Sequence, residues 1–172
     1  MRNIILLMTL ILGGCVVQKP IQINSPFDAE QARKQLEKGN SSITGEAFVK
    51  KIDGGIVTCA GSEVVLIPAT DYAKERLSYK YGSSGKQYRT IMDLMTNPQT
   101  FIPDPIEYSQ YEKIAQCNSL GHFQFNNIKN GEYFIIATVA WGPLPNNYYP
   151  EGSNILRKII VKDTNEHIIM TN

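Results

Sequence analysis

From Ile43 onward the hydrophobic positions fall into short extended runs separated by polar turns. Ile43–Ile52 predicts a first strand. Asp53-Gly54-Gly55 is a hairpin-type turn, after which Ile56–Thr58 resumes extended structure. Glu63–Ala69 (EVVLIPA) reads as a short apolar strand stopped by Pro68. Gly121–Ile128 alternates, with Phe123 and Phe125 on one face and His122 and Gln124 on the other. Asn130-Gly131 is a turn signal, and Glu132–Trp141 (EYFIIATVAW), apolar on both faces, predicts a central strand. Ile155–Val161 and His167–Thr171 are expected to pair with each other through the polar turn at Lys162–Glu166. Many short strands between Gly and Asn turns predict a mainly β protein, an antiparallel β-sandwich.

Residues 71–118 break this rhythm and read as an insertion between two core strands. Asp71–Tyr79 predicts a helical turn, Gly82-Ser83-Ser84-Gly85 a flexible loop, and Thr90–Met95 a second short helix. Phe101–Ile106 (FIPDPI), with two prolines, is extended or irregular. Long insertions in small domains often carry function. Upstream, residues 25–39 predict a helix: Ser25 as its cap, Pro26 at the first helical position, Asp28 at the capping-box position and Gly39-Asn40 as its end. Its apolar residues are too few for a deep core helix, so it is expected to cap the domain or stay near a membrane. The sandwich then occupies residues 40–172.

The first fifteen residues read MRNIILLMTLILGGC. Arg2 supplies a basic start and Ile4–Leu12 an apolar run, far shorter than the roughly 20 residues a spanning helix needs. This fits the apolar region of a secretory signal peptide over residues 1–14. Leu12-Gly13-Gly14-Cys15 resembles the lipobox of bacterial lipoproteins. The resemblance implies cleavage before Cys15, a covalent lipid on its sulfur, membrane attachment, and a tether over residues 15–24. Val16 is not the aspartate that typically retains such proteins in the inner membrane, so the resemblance implies an outer-membrane lipoprotein of the cell envelope, facing the periplasm.

A second resemblance concerns the body. Gly121-His122-Phe123-Gln124-Phe125, followed by Gly131-Glu132-Tyr133-Phe134-Ile135, resembles the hairpin of carboxypeptidase regulatory-like and transthyretin-like domains. Ile43-Thr44-Gly45-Glu46-Ala47-Phe48 and Val64-Val65-Leu66-Ile67-Pro68 are similar to that family's opening strands. The resemblance covers residues 43–70 and 119–162 and departs from the family at 71–118. It implies a transthyretin-like (prealbumin-like) sandwich of about seven or eight strands. Such domains are usually not enzymes but adhesive, carbohydrate-contacting or assembly modules.

Composition narrows the chemistry. With 17 Lys and Arg against 16 Asp and Glu, a net charge of +1 gives no footprint for nucleic acid. Two histidines and three cysteines, without a ligand spacing, argue against a metal site, and no cofactor other than the Cys15 lipid is expected. Cys59 and Cys117 bound the insertion, and in an oxidising compartment they can form a disulfide. That bridge would close a loop of about 59 residues and contribute roughly 4 kcal/mol. Two buried thiols, or a reactive Cys117 near His122, are the alternatives. Asp71/Glu75 and Asp104/Glu107 are carboxylate pairs of the kind solvated surfaces carry.

The strongest bias is tyrosine. Tyr72, Tyr79, Tyr81, Tyr88, Tyr108 and Tyr111 lie in the insertion among Lys74, Arg76, Lys80, Lys86 and Arg89, and Tyr148 and Tyr149 follow Trp141. Tyr and Arg are enriched at interfaces and stack on sugars, although such tyrosines also serve simply to pack an insertion onto its sandwich. The sequence therefore predicts a non-enzymatic lipoprotein that presents these tyrosines to an envelope protein. A glycan or peptidoglycan ligand is the alternative, and an envelope hydrolase the third reading.

Overall fold

The structure, a computed structural model, describes residues 19–82, 87–142, 151–163 and 165–172. Cys15, Tyr148, Tyr149 and the Ser83–Gly85 part of the expected loop lie outside the described residues. In chain order the strands are β1 (Ile21–Gln22), β2 (Ser41–Lys50), β3 (Ile56–Thr58), β4 (Glu63–Pro68), β5 (Tyr88–Thr90), β6 (Phe101–Ile102), β7 (Lys113–Gln116), β8 (His122–Ile128), β9 (Gly131–Trp141), β10 (Glu151–Val161) and β11 (Glu166–Met170). The helices are α1 (Ala29–Gln35), α2 (Asp71–Tyr81) and α3 (Ile91–Thr96), with a 3-10 turn at Ile106–Gln110.

Two sheets face each other as a β-sandwich. One has the order β5-β10-β9-β4-β7 and is antiparallel throughout. The other is built on β2, where strict alternation buries Ile43, Ala47 and Val49 and leaves the intervening side chains toward solvent. The Ala47 N–H donates to the Gly121 carbonyl, and the Ala47 carbonyl accepts from the Cys59 N–H. Both groups point to one side of a strand, so β8 and β3 lie end to end along the same edge of β2. β11 covers the other edge, in parallel. The core between the sheets gathers Ile43, Phe123, Phe125, Ile135, Val139 and Ile155 among others.

β9 is apolar on both faces for a reason the sequence left open. Tyr133, Ile135, Ala137 and Val139 enter the inter-sheet core, while Phe134 and Ile136 face outward against α2. The helix carries Ala73, Leu77 and Tyr81 at i, i+4 and i+8, a stripe that packs on Ile67, Phe134 and Leu156. Burying a leucine such as Leu77 contributes about 1.5–3 kcal/mol. Residues 71–118 are therefore not a detached insertion. They supply the sheet's outer cover, α2, and both of its edge strands, β5 and β7. Cys59 and Cys117 are joined by a disulfide with a Cα–Cα distance of 5.8 Å, inside the main core.

Two sequence expectations are corrected. The last two strands do not form a hairpin. β10 pairs with β9 and β5, and after residues 162–165 the chain changes sheets so that β11 lies beside β2. Ile168 and Met170 still point into the core, so periodicity identified the buried face but not the partner strand. The N-terminal helix spans Ala29–Gln35 rather than 25–39, and its cap is Asp28, which accepts from the Gln31 N–H at 2.9 Å. Ser25 lies three residues ahead of that cap, and its N–H and that of Asn24 donate to the Glu75 carboxylate, at 2.8 and 2.9 Å. Helix α1 closes one end of the sandwich, where the Gln35 side-chain amide donates to the Tyr133 hydroxyl at 2.8 Å.

Candidate functional site

The tyrosines of residues 71–118 divide into two groups. The first is structural. Tyr72 and Tyr108 meet edge-on with centroids 5.2 Å apart, and Phe27 packs against both and against Tyr111. The Arg76 guanidinium lies 4.3 Å over Phe101 and 5.1 Å from the Tyr108 centroid. It donates to Asp104 at 2.7 Å and to the Tyr72 hydroxyl at 3.0 Å, while that hydroxyl donates to the Pro103 carbonyl. Tyr72 is fully buried. Burial drives the Tyr108 phenol far above its usual range, and its hydroxyl meets no hydrogen-bond partner among the described residues. Tyr81 is buried as well, and desolvation lifts its pKa to about 12. Tyr72 and Tyr81 are thus packed into the fold, and Tyr108 is half-buried among the same rings. They seat α2, and Tyr111 completes the cluster from its rim.

The second group forms a site. The Ala73/Leu77/Tyr81 stripe leaves Tyr79 on the open side of α2, 44% exposed. Across from it, β5 brings Tyr88 and Arg89 to the free edge of β10, with Tyr88 ↔ Ile155 in register. Thr90 ends β5 and caps α3 by accepting from the Asp93 N–H at 3.1 Å. Between these elements runs a groove of about 540 Å³ whose walls include Tyr79, Tyr88, Thr90 and Gln99.

Arg89 fixes the groove's shape. Its Nε donates to Asp93 at 2.6 Å, and its two terminal nitrogens donate to the carbonyls of Lys80, Asp93 and Asn97 and to the Gln99 side chain. That fork ties α2, α3 and the Asn97–Gln99 turn to β5 through one planar group. Its hydrogen bond also holds the Asp93 carboxyl below the usual carboxylate range. Gln99 in turn donates to the Tyr79 carbonyl at 3.0 Å. The groove therefore offers the half-exposed Tyr79 ring beside a pre-set polar floor, while Tyr88, in register with Ile155, packs against the main core from the sheet's edge.

The remaining candidates resolve as follows. Cys117 is bonded to Cys59, so it cannot form a nucleophilic pair with His122. His122 instead lies 3.6 Å from Glu46 on the outer face of the β2 sheet, and His167 meets Thr44 at 3.1 Å. His122, His167 and Thr44 line a second depression, of about 610 Å³. Asp71 pairs with Lys74, Glu75 holds the Asn24 and Ser25 amides, and Asp104 holds Arg76, so those carboxylates serve structure. Among the described residues no group of three or more His, Cys, Asp or Glu could hold a metal. No described helix is long and apolar enough to cross a membrane. Sequence reasoning placed Arg89 among the basic companions of the tyrosines. Its signal as an organiser was its i,i+4 spacing to Asp93.

No protein-family model matches the chain, and no curated protein sequence does. A crystal structure from Pseudomonas aeruginosa, described as a "putative carbohydrate binding protein", is similar, with a TM-score of 0.68 and 22% identity. The match covers 86% of this chain and 99% of that one. A likeness at that identity shows a shared fold, and the chain is accordingly a mainly β protein with the sandwich architecture of that structure.

Proposed function

We propose that the protein is a non-enzymatic, lipid-anchored module of the cell envelope whose Tyr79/Tyr88 groove contacts carbohydrate. The observation that carries this reading is the groove itself. The Tyr79 ring stands beside a polar floor held rigid by Arg89, and sugars present the apolar faces and ring hydroxyls that such a surface fits. The fold shared with a structure described as a carbohydrate-binding protein supports it. The lipobox-like Leu12-Gly13-Gly14-Cys15 supports an outer-membrane lipoprotein with its lipid on Cys15. A glycan is favoured over the envelope-protein partner expected from sequence. Five of the insertion's six tyrosines pack on the domain, which leaves Tyr79 at an open groove instead of a wide aromatic face.

The test is a glycan-array screen of the purified protein followed by calorimetry on its best ligand. Tyr79→Ala is expected to weaken binding at least about fivefold, and Tyr79→Phe to keep most of it, because the ring face carries the contact. A protein that binds no glycan, or equal affinity in Tyr79→Ala, overturns the reading. Mass spectrometry of the membrane-extracted protein checks the Cys15 lipid separately.

A further inference from the structure

The N-terminal segment reaches the domain at one particular place. The Phe27 ring packs on Tyr72 in the first turn of α2, the Asn24 and Ser25 amides bind Glu75 one turn later, and the Ile21 N–H donates to the Thr100 carbonyl at 2.8 Å. Thr100 follows Gln99, which is bonded to the Tyr79 carbonyl near the helix's other end. Residues 21–27 therefore run antiparallel to α2, and the chain preceding Ile21 leaves the domain beside the groove. Helix α1, with Gln35 on Tyr133, lies at the opposite end, because Pro68, just ahead of α2, is paired with Tyr133.

Only five residues, 16–20, lie between Cys15 and Ile21. Fully extended they span at most about 20 Å, less than the length of the sandwich's longest strands. β1 and the Glu75 carboxylate fix where this tether joins the domain, so the body stays within that reach of the anchor. The surface beside the groove also carries Met92 and Met95, 41% and 49% exposed and one turn apart on α3, next to the groove's Asp93. Exposed apolar side chains of this kind suit the headgroup boundary of a bilayer.

Resting on the lipid-anchor and groove readings above, we infer that the groove is presented to the membrane surface and takes a saccharide carried there on a lipid, rather than a polymer held away from it. The short clamped tether sets the placement, and the groove sets the chemistry.

The experiment uses the full lipidated protein in vesicles of phosphatidylethanolamine and phosphatidylglycerol that contain rough lipopolysaccharide. A photo-cross-linking residue stands at Met95 or, as the far-end control, at Lys162. Adducts with lipopolysaccharide from Met95 and not from Lys162, reduced at least about fivefold by Tyr79→Ala, are expected. Equal yields at the two positions, or phospholipid adducts alone at Met95, overturn the inference. Failure of the protein to float with the vesicles would remove the anchor and this inference with it. Tyr79-dependent binding of the free oligosaccharide in solution, with Met95 silent in vesicles, would leave the groove reading standing and sink the membrane placement alone.

Discussion

Opening the Cys59–Cys117 bridge should lower stability by roughly 4 kcal/mol without changing the fold. The bridge closes a sequence separation of 58 residues. In the chain-entropy treatment, a loop of that length restricts the unfolded ensemble by about 4 kcal/mol. The folded state has little to lose, because both cysteines are held by their backbones. The Cys59 N–H donates to the Ala47 carbonyl at 2.9 Å, and the Cys117 N–H to the Ser62 carbonyl at 2.9 Å. β4 and β7 remain paired beside them, Glu63 opposite Gln116. Urea titration of the oxidised and reduced protein is the assay. At about 2–4 °C per kcal/mol for a domain of this size, the Tm should fall by about 8–16 °C. The m value should rise, because the reduced unfolded chain exposes more surface. The Cys59→Ala/Cys117→Ala variant should lose a further ~1 kcal/mol or more from missing core volume. A loss under about 1 kcal/mol on reduction, with m unchanged, would refute the reasoning.

Other outcomes follow from single contacts. Arg76→Lys keeps the charge near Asp104 but removes the planar group stacked on Phe101, and should cost about 1–2 kcal/mol in urea titration. Arg89→Lys cannot reproduce the five-bond fork, so it should weaken glycan binding in calorimetry through loss of groove shape, while Tyr79→Phe does not. Gly45→Ala would put a methyl 2.6 Å from the Phe123 ring and 2.7 Å from the Ile168 carbonyl, and should destabilise by about 1–3 kcal/mol or more, read as a lower Tm. The Asn24 and Ser25 amides hold the Glu75 carboxyl down to about 2 from 4.5. A value lowered by folding means that the clamp is complete above pH 4.5 and weakens as pH falls toward 2. Hydrogen-exchange protection at Asn24 and Ser25 should follow that profile, and Glu75→Gln should flatten it.

The sandwich was legible wherever a strand has one wet face. Phe123 and Phe125 alternate against His122 and Gln124, and the structure places them as the pattern predicts. The disulfide was legible from compartment and position. What escaped was decided by contacts distant in sequence. Ser25 carries the local signature of a cap, yet its segment lies against Glu75, 50 residues away, and the helix starts only after Asp28. β11 shows which of its residues are buried, but a two-residue period is the same beside β10 and beside β2. The groove was half legible. Composition marked the tyrosines, but only the length of α2 separates Tyr81, which faces the sheet, from Tyr79, which does not. A helix read through Tyr81, not stopped at Tyr79, would have shown the Ala73/Leu77/Tyr81 stripe.

The parallel pairing of β11 with β2 has a consequence for the order in which the chain can fold. Met170 sits opposite Ala47, 123 residues earlier. Strand β2 emerges early in synthesis, but one of its edges stays open until residues 166–170 exist. Contacts of such sequence separation form late, because a long loop must close before they repay its entropy. The second sheet is thus completed only once β11, the strand that seals it, has been made. A chain so wired remains threadable through a narrow passage until that strand exists.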